Sequence, residues 1–410
     1  MRIMVQKFGG TSVATRERQS QVLEKVKRGL AGGCKMLVVL SARAGDTNNL
    51  LALSYEWSTE PCLAEQDVLV STGEQVSCAL FAMLLNDAGI KARSCTGRQL
   101  GIITTDTYTR ARIKRIDTAV ITGLFDEYDV LVVTGFQGVT EGGRITTLGR
   151  GGSDTSAVAL AAAAKAELCE IYTDVEGVFT TDPNLCAKAR KLDRVSYDEM
   201  LEMASMGAKV LEIRSVEFAK KYKVPVLVRS TFSDAPGTLV TQEDQTMEHI
   251  MVSGIAYDKD QARITLSAVK DVPGVAASIF GPLAEAKLSV DMIVQTPSRD
   301  GVTDMNFTVS RKDLKRALAI VEEIGKNVGG LEVLYDDNVA KISAIGVGMR
   351  NHSGVAAKAF NALREENINI IMISTSEIKI SCLIEEKYTE LAVRTLHDAF
   401  GLDSTSYLED

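Results

Sequence analysis

The stretch Val5-Gln6-Lys7-Phe8-Gly9-Gly10-Thr11-Ser12 indicates the fold class of this chain. A short apolar run ends in a lysine, two glycines and two hydroxyl residues, and similar changes occur where residues 36–40 meet Ser41-Ala42 and where residues 130–134 meet Gly135. Such β-branched runs, alternating with longer helical patterns, are typical of an α/β domain with a largely parallel sheet. Because ligands of open α/β sheets bind beyond the carboxyl ends of the strands, we expect a site where these small and polar residues gather.

The same alternation continues to about residue 240. The pattern predicts a helix over residues 158–166 and strands over residues 168–172 and 224–228. Residues 233–237, Ser-Asp-Ala-Pro-Gly, form a turn cluster and a candidate domain boundary. We therefore expect a first domain over residues 1–240.

Length and charge exclude several classes of protein. A chain of 410 residues has room for two to three domains. Its net charge of −8 lacks the basic surface that a nucleic-acid binder needs to replace counterions. An unbroken apolar run, residues 157–164, falls far short of the roughly 18 residues of a membrane span, and the start of the chain lacks the apolar core of a signal peptide. We expect a cytoplasmic protein with neither nucleic acid nor membrane as a partner.

Cysteine and histidine usage limits the chemistry of the first domain. The seven cysteines are scattered without a C-x-x-C pair, so we expect reduced thiols. The three histidines, His249, His352 and His397, all lie beyond residue 240. A histidine relay in the first domain is therefore excluded, and its chemistry must use lysine, carboxylates, hydroxyls and glycine.

The remainder of the chain contains an internal repeat. Gly274-Val275-Ala276-Ala277 recurs as Gly354-Val355-Ala356-Ala357, and further matches at the same spacing pair Phe280 with Phe360, Leu283 with Leu363 and Met292 with Met372. Two copies packed side by side would bury the faces that one copy leaves open. We expect repeats over residues 250–335 and 336–405. A dimerisation module and a ligand sensor are equally compatible with this pattern, although the loop Asp271-Val272-Pro273-Gly274 offers a carboxylate and exposed amides to a free amino acid.

Residues 7–12 have a layout that suits phosphate. A lysine stands at a strand end, two glycines let backbone amides approach a ligand, and two hydroxyls precede a helix. An ordinary strand-to-helix turn with a surface lysine would look the same. Since the chain contains neither G-x-x-x-x-G-K-[ST] nor G-x-G-x-x-G, a phosphate site here needs a different architecture.

Residues 149–156, Gly-Arg-Gly-Gly-Ser-Asp-Thr-Ser, form the most informative stretch. Three glycines flank Arg150, whose planar guanidinium can bind a carboxylate or phosphate through two hydrogen bonds. Ser153, Asp154, Thr155 and Ser156 then offer N-cap groups to an alanine-rich helix. A flexible, capped loop would explain the serine and the aspartate, but not an arginine embedded among glycines.

Three further stretches carry weaker signals. Residues 71–75, Ser-Thr-Gly-Glu-Gln, precede an apolar helix, so Glu74 either complements the helix dipole or holds a substrate ammonium. Residues 172–183 mix acids, hydroxyls and aromatics, as a nucleotide pocket or a plain acidic loop would. Residues 207–210, Gly-Ala-Lys-Val, add a second lysine.

Taken together, these stretches resemble the aspartate kinases, members of the amino-acid kinase fold. The resemblance is carried by residues 7–12, 38–47, 71–74, 149–155, 172–177, 207–211 and 373–378, and it covers essentially the whole chain. It implies an α/β amino-acid kinase domain, a mostly parallel open sheet sandwiched by helices, followed by two α+β ACT (ferredoxin-like) regulatory domains.

The resemblance also implies a reaction. Aspartate kinases transfer the γ-phosphoryl group of ATP, with Mg2+, to the side-chain carboxylate of L-aspartate, and the acyl phosphate feeds lysine, threonine and methionine synthesis. Because a carboxylate is already ionised at neutral pH, no general base is required, in agreement with the absence of histidine before residue 240. The site must instead neutralise charge on the transferred phosphoryl group.

Residue roles follow from the resemblance alone. The residues implied for catalysis are Lys7, Asp154 and Lys209. Those implied for the nucleotide are Lys7, Gly9, Gly10, Thr173, Asp174, Asp182 and Lys209. Those implied for aspartate are Ser41, Thr47, Glu74, Arg150 and Ser153. Asn184 stands where many relatives carry an arginine for the nucleotide, which weakens the assignment of that loop, and no metal ligands are assigned.

The repeats are implied to bind lysine, threonine or both. The effector residues are Asp271, Gly274, Ala276, Gln295, Asn369, Ile370, Thr375 and Ser376. We expect a homodimer, or a two-plus-two assembly with a short chain started at Met247 or Met251. Two alternatives remain: another carboxylate kinase of the same fold, and a non-catalytic amino-acid-binding regulator.

Overall fold

A computed structural model describes residues 1–206, 210–244, 247, 250–297, 300–328 and 332–404. The chain divides into two compact units, the first formed by residues 1–179 and 191–244 and the second by residues 180–190 and 245–410. Residues 180–190 thus group with the second unit, although they lie within the expected 1–240 domain.

The first unit alternates strands and helices along the chain. Its helices are α1 (Arg16–Ala31), α2 (Asp46–Trp57), α3 (Leu63–Asp87), α4 (Thr118–Phe125), α5 (Gly152–Ala163), α6 (Tyr197–Ser205) and α7 (Ile213–Tyr222). Its strands are β1 (Ile3–Phe8), β2 (Lys35–Leu40), β3 (Ala92–Cys95), β4 (Ile102–Thr104), β5 (Ile113–Ile116), β6 (Val130–Thr134), β7 (Gln137–Val139), β8 (Ile145–Thr147), β9 (Cys169–Thr173), β10 (Arg194–Ser196), β11 (Val226–Ser230) and β12 (Thr238–Thr241).

A parallel sheet forms the centre of this unit and confirms the predicted fold class. Its strand order is β10-β12-β11-β9-β1-β2-β6-β3, and every pair from β11 to β3 is parallel. Strand β1 lies between β9 and β2, where Lys7 is in register with Ile171 and Val39. The carboxyl end of β1 is therefore in the middle of the sheet edge at which ligands of such folds bind.

The core of the unit lies between the central strands and helices α1 and α3. Phe8, Val38 and Phe81 belong to one fully buried apolar cluster. Burial of each such side chain contributes roughly 1.5–3 kcal/mol. The rings of Phe8 and Tyr172 stack with centroids 4.6 Å apart, which packs β1 against β9 immediately before the two glycines.

Two predicted boundaries differ from the structure. Helix α5 begins at Gly152 rather than at residue 158, and its N-cap is Gly151 in a left-handed conformation (φ 64°). The hydroxyl of Ser156 donates to the carbonyl of Gly152, so the predicted side-chain cap is replaced by a glycine that reaches positive φ without strain. The turn at residues 233–237 is not a domain boundary, because it leads into β12, which pairs antiparallel with β11.

Residues 71–75 lie in the interior of α3, not before a helix. Ser, Thr and Gly are weak helix formers, which is why the sequence suggested a helix start. Gly73 is required by packing, since a Cβ there would lie 2.8 Å from the Cβ of Ala42. Helix α3 is long and apolar enough to cross a membrane by length and composition, but half of its most apolar window is buried within the protein.

A small second sheet completes the first unit. Its order is β5-β4-β7-β8, and the hydroxyls of Thr104 and Thr146 lie 2.6 Å apart across it. Strand β8 ends at Thr147, three residues before the glycine-flanked Arg150.

The second unit contains the repeat. Its strands and helices are β13 (Gly254–Lys270), α8 (Val275–Glu285), β14 (Val290–Gln295), β15 (Val302–Val309), α9 (Arg311–Val328), β16 (Glu332–Ile345), α10 (Val355–Glu365), β17 (Met372–Thr375), β18 (Lys379–Glu385) and α11 (Thr389–Ala399). Short 3-10 helices span Val347–Asn351 and Glu386–Tyr388.

The two repeats share one sheet of order β14-β15-β13-β16-β18-β17. The long strands β13 and β16 pair with each other along both repeats. Gly274 and Gly354, equivalent in the repeat, both have left-handed backbones (φ 96° and 91°) and begin α8 and α10. Equivalent local structure at equivalent positions supports the repeat inferred from the sequence.

Candidate active site

An ion pair lies at the carboxyl end of the central strand. The Nζ of Lys7 is 2.6 Å from Oδ1 of Asp154, and each side chain is only 12% exposed. Asp154 is in the first turn of α5, where the positive end of the helix dipole also favours a carboxylate. The pair holds the ammonium of Lys7 in a fixed position beyond β1.

The two glycines after Lys7 allow close backbone packing. A Cβ on Gly10 would lie 2.7 Å from the carbonyl oxygen of Ala42, and the N–H of Ala44 donates to the carbonyl of Gly10 at 3.1 Å. A Cβ on Gly9 would lie 3.7 Å from Nζ of Lys7. Gly10 therefore lets the loop after β1 pack directly on the loop after β2, and Gly9 places no side chain beside the ammonium of Lys7.

Glu74 brings a buried carboxylate to the same loop. Its Oε1 accepts a hydrogen bond from the N–H of Ala42 at 3.0 Å, whereas its buried Oε2 has no hydrogen-bond partner. Glu74 is 3% exposed, and burial raises its pKa to about 7, an effect to which Asp46 adds. A cationic donor is the partner that would satisfy Oε2 and return the carboxylate to its charged form.

Ser41, Thr47 and Ser153 lie around the ends of neighbouring strands. Ser41 follows β2, and its carbonyl accepts from the hydroxyl of Ser77 at 2.7 Å. Thr47 is half-buried in the first turn of α2. A Cβ on Gly135, at the end of β6, would lie 2.7 Å from Oγ of Ser153, so the glycine makes room for that serine.

Arg150 is exposed between Gly149 (φ 81°) and Gly151 (φ 64°). The side chain of Glu212 lies directly against this loop, since a Cβ on Gly151 would be 2.2 Å from its Cγ. Burial and then the charge of Asp154 raise the pKa of Glu212, while Arg150 lowers it. Sequence reasoning missed Glu212, because its proximity depends on α7 packing against α5.

Thr173 ends β9, the strand beside β1, and Asp174 follows it. The hydroxyl of Thr173 donates to Oδ1 of Asp174 at 3.0 Å, and Asp174 is exposed. Since Tyr172 is in register with Phe8, these two residues leave the sheet at the same edge as Gly9.

Two predicted nucleotide contacts remain predictions. Asp182 belongs to the second unit, where Oδ1 accepts from the backbone and side-chain nitrogens of Asn184, both at 2.9 Å, and Oδ2 accepts from the hydroxyl of Tyr257 at 2.9 Å. Lys209 lies outside the described residues.

The predicted effector residues occupy two regions of the second unit. Asp271, Gly274 and Ala276 are exposed around the start of α8, and Gln295 ends β14. The others flank the second repeat's edge strand: Asn369 and Ile370 precede β17, Thr375 ends it, and Ser376 follows it.

The edge strands β14 and β17 lie at opposite ends of the sheet order, yet they meet. Met292 of β14 and Met372 of β17 belong to one apolar cluster with Val339 and Leu383. The fold therefore brings the strand that ends at Gln295 close to the strand that ends at Thr375, two residues that the resemblance assigns to effector binding.

The site in the first unit combines a fixed ammonium, glycine-lined backbone, a buried unsatisfied carboxylate oxygen and an exposed arginine. This set can bind two anionic groups and one cationic group. Among the residues that the structure describes, no group of three or more His, Cys, Asp or Glu side chains could hold a metal ion.

Sequence comparisons agree with this arrangement. A model of the amino acid kinase family matches residues 2–230, and ACT domain models match residues 263–329 and 342–400. The aspartate kinase of Stutzerimonas stutzeri (strain A1501) is 55% identical over 405 residues, covering 98% of each chain.

Solved structures give the same result. E. coli aspartokinase III in complex with aspartate and ADP matches with a TM-score of 0.79 at 29% identity, over 97% of this chain and 99% of that chain. The same enzyme in complex with lysine and aspartate matches with a TM-score of 0.76 at equal identity and coverage.

Proposed function

This chain belongs to the aspartate kinases, members of the amino acid kinase family that carry ACT domains, and from that membership we propose how its own residues perform the reaction. The enzyme transfers the γ-phosphoryl group of ATP to the side-chain carboxylate of L-aspartate and serves amino-acid biosynthesis. The acceptor is already ionised at neutral pH, so catalysis consists of positioning two anions and neutralising their charge.

Lys7 binds the transferring phosphoryl group. Its ammonium is held by Asp154 at the carboxyl end of β1, and the backbone of Gly9 and Gly10 offers N–H groups beside it. As charge develops on the phosphoryl oxygens, a cation that is already fixed stabilises it without reorganisation. Thr173 and Asp174, which leave the sheet at the same edge, would also contact the nucleotide. The nucleotide roles of Asp182 and Lys209 stay predictions from the resemblance.

Mg2+, when bound, would be held by the phosphate oxygens of ATP and would neutralise part of their charge. Phosphate oxygens together with one or two carboxylates form the donor set that Mg2+ prefers. Asp154 is the carboxylate that stands beside Lys7 and suits this set.

Aspartate is recognised by its two charged ends. The main evidence for an ammonium site is Oε2 of Glu74, which is buried and has no hydrogen-bond partner. An α-ammonium group would satisfy this oxygen. Arg150 binds the α-carboxylate through its guanidinium, and Ser41, Thr47 and Ser153 line the pocket. A substrate with both ammonium and carboxylate groups fits this pair better than a simple carboxylic acid does.

The second unit regulates the first through lysine, threonine or both. The E. coli structure with lysine and aspartate supports lysine as an effector. Asp271 and Gly274 from one region, with Asn369 and Ile370 from the other, would bind the amino acid's charged groups, and effector binding would change subunit packing. The corresponding assembly would be a cytoplasmic homodimer, or a two-plus-two assembly with a short chain started at Met247 or Met251.

The test is acyl phosphate formation. The full chain is incubated with Mg2+-ATP and L-aspartate, and the product is trapped as a hydroxamate with hydroxylamine, with lysine and threonine added separately and together. We expect aspartate-dependent hydroxamate that an end product suppresses. Product formed with L-glutamate but not with L-aspartate would overturn the substrate assignment, and inhibition by neither amino acid would overturn the effector assignment.

A further inference from the structure

The residues next to Arg150 do not by themselves restrict the conformation of its backbone. Gly149, Gly151 and Gly152 surround it, and glycine has more conformational freedom than any other residue. We propose that Asp67 and Arg214 are positioning residues that fix the backbone around Arg150 and thereby set the affinity for the α-carboxylate of aspartate. This inference rests on the proposed role of Arg150.

Asp67 binds two separate segments of chain from within α3. One oxygen or the other accepts from the N–H of Thr109 at 2.9 and 3.1 Å, from the N–H of Thr147 at 2.9 Å and from the hydroxyl of Thr147 at 2.6 Å. Asp67 is fully buried (0% exposed). A buried carboxylate is tolerated only when hydrogen bonds replace its hydration. Here both oxygens are satisfied by Thr147, in the segment that leads to Arg150, and by Thr109, in a second segment.

Thr109 shows what this contact maintains. It has a left-handed backbone (φ 64°), which a β-branched residue adopts only when its surroundings enforce it. Its N–H is held by both oxygens of Asp67. Its carbonyl oxygen lies 2.9 Å from the position of a Cβ on Gly149, the residue before Arg150. The contact therefore runs from Asp67 through Thr109 to the first glycine of the loop.

Arg214 binds the same two segments through their carbonyl groups. Its guanidinium donates to the carbonyl of Leu148 and to the carbonyl of Ala111, the latter at 3.0 Å. The segments are also joined directly, because the N–H of Ala111 donates to the carbonyl of Thr147 at 2.9 Å. Asp67 thus accepts from N–H groups, and Arg214 donates to carbonyl groups, of the segment just before Arg150 and of the neighbouring segment, residues 109–111. A lysine lacks the planar guanidinium whose separate nitrogens can donate to both carbonyls.

Asp67 and Arg214 together restrain a loop that is rich in glycine. Each glycine permits the tight turn that begins α5, and each also allows alternative turns of similar energy. Fixing the entry to the loop leaves Arg150 in one orientation before substrate binds, so less of the binding energy is used to order it.

The experiment measures KM for aspartate, KM for ATP, kcat and melting temperature for five variants of the full chain. Asp67→Asn keeps the shape of the side chain but places an amide NH2 where an oxygen accepted hydrogen bonds from N–H groups. Arg214→Lys removes the planar guanidinium that donates to two carbonyls. For both we expect KM for aspartate to rise about tenfold and KM for ATP to change by less than about twofold. Arg150→Ala is the reference and should raise KM for aspartate at least as much.

A rescue variant and a control separate positioning from general stability. In Asp67→Asn/Thr109→Gly, glycine reaches positive φ without the carboxylate, so KM for aspartate should return most of the way to the parent value. Ile121→Ala removes a buried core side chain from α4 and should lower the melting temperature without changing either KM.

The outcomes separate the positioning role of Asp67 and Arg214 from the binding role of Arg150. If Arg150→Ala raises KM for aspartate while Asp67→Asn and Arg214→Lys do not, the positioning role is wrong and the role of Arg150 stands. If Arg150→Ala leaves KM for aspartate unchanged, the role of Arg150 fails and the positioning role with it. Should Asp67→Asn fail to fold, the half-buried Arg214→Lys decides the question by the same ratio of the two KM values.

Discussion

The ammonium of Lys7 and the carboxylate of Asp154 are 2.6 Å apart although 147 positions separate them in the chain. Lys7 is the penultimate residue of β1, and Asp154 lies in the first turn of α5. Both side chains are largely buried, so each depends on the other for its charge to be tolerated. The pair joins the central strand to the loop that carries Arg150.

Asp154→Asn should reduce kcat by at least about tenfold, because Lys7 loses the partner that fixes it against the phosphoryl group. Stability should fall by about 1–3 kcal/mol, since a buried ammonium is left with a weaker acceptor. Steady-state kinetics and denaturant unfolding measure the two effects. As a control, Glu167→Gln breaks the exposed pair with Arg2 and should change neither quantity. A kcat equal to that of the parent would contradict the role of the pair.

Glu74 should make aspartate binding depend on pH near neutrality. Its folded pKa, about 7, is above the ordinary value of 4.5, so the folded protein binds more protons than the unfolded chain between these values. Stability from this group is therefore fully present below pH 4.5 and is lost as pH rises through 7, by about 3 kcal/mol. Because an ammonium ligand prefers the ionised carboxylate, KM for aspartate should rise as pH falls below 7.

Glu74→Gln tests both parts of this prediction. KM for aspartate should be raised at pH 8 and should vary little between pH 6 and 8, while the ligand-free protein becomes more stable at pH 8. Melting curves and KM values over this range measure both effects. A parent-like pH dependence in Glu74→Gln would assign the titration to another group.

Gly10→Ala should be destabilising, because its Cβ would lie 2.7 Å from the backbone oxygen of Ala42, which cannot move without displacing the β2 loop. We expect a loss of about 1–3 kcal/mol and a lower kcat. Gly123→Ala is the matched control, since it lies in α4 with nothing within 4 Å of the added Cβ. That variant should gain about 0.4–1 kcal/mol. Equal stability of the two variants, measured by denaturant unfolding, would show that the loop after β1 does not pack on the loop after β2 as described.

Asp271→Ala should weaken inhibition by the effector amino acid, because an ammonium group loses its carboxylate partner at the start of α8. The effector concentration for half-inhibition should rise at least about tenfold, measured against the variant's own activity without effector. Glu322→Ala removes the same charge from an exposed position on α9 and serves as the control. Identical inhibition curves for the two variants would exclude Asp271 from the effector site.

Much of the fold was predictable because it depends on short-range pattern. Strands such as Val130–Thr134 are continuous apolar runs that end in small residues, as buried parallel strands do. The glycines at 274 and 354 marked equivalent helix starts because only glycine reaches that backbone conformation easily. The predicted helix boundaries in the first unit were less accurate. The start of α3 at Leu63 was missed because tertiary packing of Gly73 against Ala42 overrides the weak helix propensity of residues 71–73.

The sequence alone determined the parallel α/β domain, the repeated regulatory domains and the aspartate kinase family, and it predicted the charged groups that we propose for the site. Only the tertiary structure decided which of those groups are buried and what holds them. The pKa of Glu74 depends on the elements that exclude water around α3. The backbone just before Arg150 is bound by Asp67 and Arg214, which reach it from α3 and α7. Burial and long-range hydrogen bonds involve residues distant in the chain, so no local pattern encodes them.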